Sequence, residues 1–229
     1  MKTHLKSPLA DLSQRQLILF DLDGTLVDSA RDLFASMNMA LAELGRPPVT
    51  EQQVRTWVGK GASQLCSCVI QYQEHGLNPK LQQQLLQKFL AVYQRHLCVD
   101  SVIYDGVLEF LDYCQAEKKT LACVTNKPFD AAHSLLKQLN ILDRFSLVIG
   151  GDSLTHRKPH PEPLLHTMHY FEQKPAQTLM VGDSRNDVEA ARAAHVDCIV
   201  LSYGYNHGED IHACSPQLVI DSLVALIPK

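Results

Sequence analysis

The chain of 229 residues is 45% hydrophobic and 20% charged, long enough to bury a sizeable core without disulfides or a structural metal, and it accommodates one large domain or a core carrying a smaller insert. Its 21 basic and 25 acidic residues leave a formal net charge of −4, which gives no footprint for nucleic acid. No apolar run approaches the roughly 18 residues that a bilayer span requires, so no membrane partner is expected.

In chain order, residues 1–16 carry two lysines but no hydrophobic stretch of the secretory kind, and read as a short disordered tail. The apolar run 17–22 is a candidate strand. Residues 28–97 then read as a helical block. Ala30, Leu33, Phe34, Met37, Leu41 and Leu44 form one face at helical spacing, and Gly45 with Pro47-Pro48 stops that helix. Thr50 followed by Gln53 resembles a capping box opening a second helix. The Gly59-Lys60-Gly61 turn precedes a third helix, to about Glu74; Gly76 and Asn78-Pro79 separate a fourth, on which Leu81, Leu85, Leu86, Phe89 and Tyr93 share a face. Further candidate strands at 120–125, 147–149, 178–181 and 198–201 alternate with candidate helices at 107–118, 130–139, 162–171, 186–195 and 217–226. The strands are nearly continuous in apolar residues, as strands covered on both faces should be. The predicted fold class is therefore α/β: a Rossmann-like parallel-sheet core from 17–27 and 98–229, with the helical domain 28–97 inserted after the first strand. Seven scattered cysteines, an odd number, point to reduced thiols and a cytoplasmic location.

The chemistry concentrates at strand ends. Asp21 and Asp23, in Asp21-Leu22-Asp23-Gly24-Thr25, stand two apart and project the same way from an extended chain. Ligands of parallel sheets gather at the carboxyl ends of strands, where this pair falls. Two such carboxylates repel by roughly 4 kcal/mol at ~4 Å and an effective dielectric of ~20, so they call for a divalent cation or a shared proton. Taken alone, the pair reads rather as a polar strand end capping the next turn, and the other segments decide. Three further segments follow predicted strands: Thr125-Asn126-Lys127, whose hydroxyl, amide and N–H groups suit phosphate oxygens; Lys158 in Arg157-Lys158-Pro159-His160-Pro161, where two prolines stiffen the backbone around its ammonium; and Gly182-Asp183-Ser184-Arg185-Asn186-Asp187, with two more carboxylates. All-oxygen ligands of this kind suit Mg²⁺.

On these residues the chain resembles the haloacid dehalogenase superfamily of phosphohydrolases, which carries four short motifs in this order. Asp21-Leu22-Asp23-Gly24-Thr25 is similar to the first, Thr125 to the second, Lys158 to the third, and Gly182-Asp183 with Asp187 to the fourth. The family's helical cap falls where 28–97 is inserted. The resemblance implies Asp21 as nucleophile and Asp23 as general acid and base. It implies Mg²⁺ held by the Asp21 carboxylate, the Asp23 carbonyl and the Asp183 carboxylate, with Asp187 positioning the metal. Thr125 and Asn126 would hold the phosphoryl group and Lys158 would offset its charge. The substrate would be a small phosphorylated metabolite, and the enzyme a monomer or homodimer.

Two segments, 56–62 and 202–209, resemble those of bacterial phosphoglycolate phosphatases. On that reading Lys60, with the Gly59 and Gly61 N–H groups, would meet a substrate carboxylate; the bland alternative is an interhelical turn with a solvated lysine. A phosphatase of another small metabolite or sugar phosphate, such as N-acetylmuramate 6-phosphate, and a phosphomutase-type phosphotransferase share the same motifs. His156, His160, His166 and His169 suggest zinc only at first sight, because Lys158 and two prolines interrupt them.

Overall fold

The computed structural model describes residues 12–228. Chain order gives β1 (Leu17–Phe20), β2 (Val27–Asp28), α1 (Ala30–Glu43), α2 (Glu51–Trp57), α3 (Ala62–Glu74), α4 (Pro79–Arg95) and β3 (Val102–Ile103). There follow α5 (Val107–Ala116), β4 (Thr120–Val124), α6 (Phe129–Gln138), β5 (Leu147–Ile149), α7 (Glu162–Tyr170), β6 (Thr178–Gly182), α8 (Arg185–Ala193), β7 (Asp197–Leu201) and β8 (Leu218–Ile220).

The main sheet has six strands in the order β5-β4-β1-β6-β7-β8, every pair parallel. Counted within the sheet alone this is the doubly wound order 3-2-1-4-5-6, and the chain reverses direction across β1. Alternation along β1 divides its side chains: Ile18 and Phe20 enter one apolar cluster, Leu17 and Leu19 the other. The first cluster runs without a break into the inserted helices, taking in Leu33, Met37, Leu41, Leu85 and Phe89. There α4 packs on both α1 and α3.

Two of the predicted helical starts are capped as the sequence suggests. Thr50 and Gln53 form the reciprocal capping box of α2, and the Asn78 side chain caps α4 with Pro79 in its first turn. Burial pushes the Cys66 and Cys114 thiols up to about 12, which makes them inert apolar groups. Among the described residues no helix is long and apolar enough to cross a membrane.

Three features differ from the sequence reading. Residues 217–226 are not a helix: Leu218, Val219 and Ile220 pair with Ile199, Val200 and Leu201 as the sixth strand, and only the 3-10 turn Leu223–Leu226 follows. A three-residue apolar run is too short to show a period, and the open edge of β7 decides its state. The tail expected over 1–16 is packed from Leu12 onward. Leu12 is buried, and Arg15 reaches the Ala176 carbonyl at 2.9 Å and the Asp197 carboxylate. Residues 1–11 lie outside the described residues. Finally, β2 and β3 form a small antiparallel ribbon that brings the two ends of the inserted segment together.

Candidate active site

Asp21 directly follows β1, Thr125 follows β4 and Asp183 follows β6, so three segments from adjacent strands meet on one rim. That rim lies at the switch point, where the chain departs in opposite directions and leaves a crevice. The turn after Asp21 is closed by Gly24 N–H donating to the Val27 carbonyl at 2.9 Å. Gly24 is required twice over: its φ is +87°, and a Cβ there would stand 2.4 Å from Asp183 Oδ2. Gly204 has the same function from the far side, since a Cβ on it would lie 2.1 Å from Asp183 Cβ.

Lys158 organises the acids. Its buried ammonium stands 2.7 Å from Asp187 Oδ1 and 3.1 Å from Asp21 Oδ1. Burial works against that charge, but the Asp187 and Asp21 carboxylates outweigh it and hold the ammonium protonated. Burial also pushes Asp21 up to about 6, against the pull of Lys158 and with the push of Asp187. Asp183 is raised well above the ordinary carboxylate range by burial, then by the charges of Asp187 and Asp21.

Oxygens of Asp21, Asp183 and Asp187 all lie within 4.8 Å of one another. Three carboxylates with one ammonium between two of them leave a buried excess of negative charge, and every donor is oxygen. This is a fit for a hard divalent cation. The three acids are not equivalent. Both oxygens of Asp187 are spent, Oδ1 on Lys158 and Oδ2 on Ser184 Oγ at 2.9 Å and the Ser184 and Asp183 N–H groups. Asp183 accepts one bond on each oxygen, from Thr25 Oγ1 at 2.8 Å and Tyr205 N–H at 2.7 Å, and retains lone pairs. Asp187 therefore fixes the loop and Lys158, while Asp21 and Asp183 keep capacity for a ligand.

Asp23 faces a different cation. Lys127 Nζ lies 3.0 and 3.1 Å from its two oxygens and 2.6 Å from the Tyr93 hydroxyl of α4, and Ser29 Oγ donates to Asp23 Oδ1 at 2.5 Å. Burial opposes the Lys127 charge, but Asp23 and Tyr93 raise its pKa and keep it an ammonium.

A small cavity of about 40 Å³ opens beside Asp21 and Asp23. Thr125, Asn126 and Lys127 border it on the sheet side, and Gly59, Gly61, Leu65, Phe89 and Tyr93 on the helical side. Of the predicted site residues, Asp21, Asp23, Thr125, Asn126, Gly59 and Gly61 line this cavity; Lys158, Asp183 and Asp187 stand behind it, on Asp21. Lys60 does not join them. It is exposed and lies outside the cavity lining, because Gly59 and Gly61 turn their backbone inward and the residue between them outward. The Asn126 amide donates to the Gly59 and Lys158 carbonyls at 3.1 and 2.9 Å, so it ties the glycine loop to the core. Asn186 donates to the same Gly59 carbonyl at 3.2 Å.

Sequence reasoning missed the partner of Asp23 and the part taken by tyrosines. Tyr205 OH donates to Asp28 and accepts from the Ser29 and Ala30 N–H groups, lacing the start of α1 to the loop after β7. The position of Lys127, two residues after Thr125, was a usable signal; nothing in sequence separation marks Tyr93. The exposed His156 and His160 stack at 4.2 Å, and His156 binds Glu162, which fastens the outer side of the Lys158 loop.

A buried carboxylate braced by an ammonium sits where doubly wound sheets bind their ligands, and a carboxylate is among the side chains able to act as nucleophile. The chain belongs to the haloacid dehalogenase-like hydrolase family, whose model matches residues 18–201. It is similar to a phosphoglycolate phosphatase of Nitrosococcus oceani, at 43% identity over 216 residues, with 94% of this chain and 96% of that protein covered. A phosphoglycolate phosphatase of Colwellia psychrerythraea is 41% identical over 222 residues, with coverages of 94% and 97%. A crystal structure from Haemophilus somnus 129PT, described as a predicted phosphoglycolate phosphatase, matches with a TM-score of 0.87 at 37% identity, covering 92% of this chain and 95% of that one.

Proposed function

We propose that this hydrolase is a Mg²⁺-dependent phosphomonoesterase that works through an aspartyl-phosphate on Asp21, with 2-phosphoglycolate as its substrate. The observation that carries the reading is the Asp21 carboxylate, 3.1 Å from the Lys158 ammonium and grouped with Asp183 and Asp187 at the strand ends. Asp21 attacks phosphorus, and the ester oxygen leaves with a proton from Asp23. Asp23 then takes a proton from water as that water releases phosphate from Asp21. Thr125, which lines the cavity beside Asp21, orients the phosphoryl oxygens, and Lys158 offsets their charge. The Asp21 carboxylate, the Asp23 carbonyl and the Asp183 carboxylate would hold Mg²⁺, which when bound supplies positive charge against the phosphoryl oxygens.

In this reading residues 28–97 act as a cap over a core made of 17–27 and 98–229. The small substrate is supported by the relatives' names and by the cavity, whose 40 Å³ admits only a few atoms unless the helices move. Phosphate release from a panel of phosphoesters, with and without Mg²⁺, tests it. 2-Phosphoglycolate should be preferred over hexose phosphates and N-acetylmuramate 6-phosphate, and Asp21→Asn should abolish turnover while the protein remains folded. Rearranged phosphosugar with little free phosphate would replace hydrolysis by a mutase reaction.

A further inference from the structure

The cavity beside Asp21 and Asp23 has mostly apolar walls, among them Leu33, Val58, Leu65 and Phe89. Among the described residues lining it, Lys127 is the one cation, and its side chain is 3% exposed. In such surroundings an ammonium attracts an entering anion far more strongly than a solvated lysine does. The exposed Lys60 has no such advantage.

Lys127 is already engaged, and its engagement carries the argument. It sits across both oxygens of Asp23, at 3.0 and 3.1 Å. Asp23 Oδ1 also accepts from Ser29 Oγ. A carboxylate held in this way has both oxygens turned toward donors, which is not the pose of a group about to hand a proton to a leaving oxygen. Something must draw Lys127 aside, and the Tyr93 hydroxyl gives the ammonium a second anchor at 2.6 Å while it moves.

We propose that Lys127 is the residue that reads the substrate's carboxylate, exchanging Asp23 for that carboxylate when substrate enters and thereby freeing Asp23 to face the leaving oxygen. The proposal rests on the phosphoglycolate reading and adds the residue that enforces it. A substrate that is neutral beyond its phosphoryl group cannot make the exchange, so it meets a site in which Asp23 stays tied to Lys127. Specificity and the readiness of the general acid are then one event.

The test compares 2-phosphoglycolate with 2-hydroxyethyl phosphate, which replaces the carboxylate by a hydroxymethyl group on the same carbon chain. Kinetics are measured for the wild type, Lys127→Met and Lys127→Arg. The wild type should prefer 2-phosphoglycolate, and Lys127→Met should lower kcat/KM for it about ten- to hundredfold more than for 2-hydroxyethyl phosphate, the worth of a charge-assisted hydrogen bond. Lys127→Arg, which keeps the charge, should recover part of the preference. If Lys127→Met does not fold, Lys127→Gln carries the same comparison, because its amide keeps a polar donor on the side of Asp23 and Tyr93 without a charge. A preference that survives in the uncharged variants, or an equal loss on both esters, overturns Lys127 as the reader and leaves the phosphoglycolate reading standing. A wild type with no preference between the two esters overturns both.

Discussion

Asp21 and Asp23 are two residues apart and share a strand end, yet their surroundings assign them different work. Asp21 is braced by Lys158 at 3.1 Å and gathers Asp183 and Asp187 around it. Asp23 looks across the cavity to Lys127, Ser29 and the helical side. An acid placed at the leaving group matters in proportion to how badly that group needs a proton. Asp23→Asn should therefore slow alkyl phosphates by two or more orders of magnitude beyond its effect on p-nitrophenyl phosphate, whose phenolate leaves unaided. A leaving-group series of kcat/KM checks this, and equal losses across the series would remove leaving-group protonation from Asp23. The spacing of these carboxylates was legible in the sequence because alternation along an extended chain is a local rule. Their partners were not. Lys158 and Lys127 both lie more than a hundred residues away, and choosing which ammonium meets which acid requires the strand order.

Among the elements, the join between the sheet and the inserted helices is built from groups that have no signature in sequence. Asp32, in the first turn of α1, is 1% exposed and accepts four hydrogen bonds: from the N–H groups of Val99, Asp100 and Ser101, and from Ser101 Oγ at 2.6 Å. It fixes the returning chain just before β3 pairs with β2. Read along the chain, an acid in the first turn of a helix is only a favourable dipole contact, and a two-residue ribbon is too short to show alternation. The helices themselves were legible, since their faces repeat over several turns and their caps are local. The edge strand 218–220 was not, because its state depends on the neighbour it pairs with. Asp32→Asn keeps the shape of the side chain but turns one acceptor into a donor facing N–H groups. The variant should lose ~2–4 kcal/mol of stability. For a chain of this size that is roughly 5–15 °C in Tm, measurable by thermal unfolding, and a change within a degree of wild type would show that the four bonds do not hold the join.

Across the whole molecule, the doubly wound order sets where negative charge must accumulate. Strand β1 is central, β4 and β6 flank it, and the loops after all three empty into one crevice. The fold thus brings Asp21, Asp183 and Asp187 together in the buried rim with Lys158 as the ammonium between two of them, a cost that a bound cation, or a proton on one of the acids, offsets. Stability should accordingly depend on the metal. At Mg²⁺ about a hundredfold above its Kd, linkage adds ~2.7 kcal/mol, or roughly 5–10 °C in Tm for a chain of this length, and EDTA should reverse the gain. Asp183→Asn separates the two contributions. Its amide oxygen can accept from Tyr205 N–H while its NH₂ donates to Thr25 Oγ1, so the local bonds survive as the charge is removed. Without metal this variant should melt at or above the metal-free wild type, because burial and two neighbouring carboxylates already press Asp183 toward its neutral form. With Mg²⁺ it should gain little and hydrolyse nothing. A Mg²⁺-induced rise in Tm that is undiminished in Asp183→Asn would place the cation elsewhere on the molecule, and a metal-free variant that melts well below wild type would show that the Asp183 charge is compensated within the protein itself.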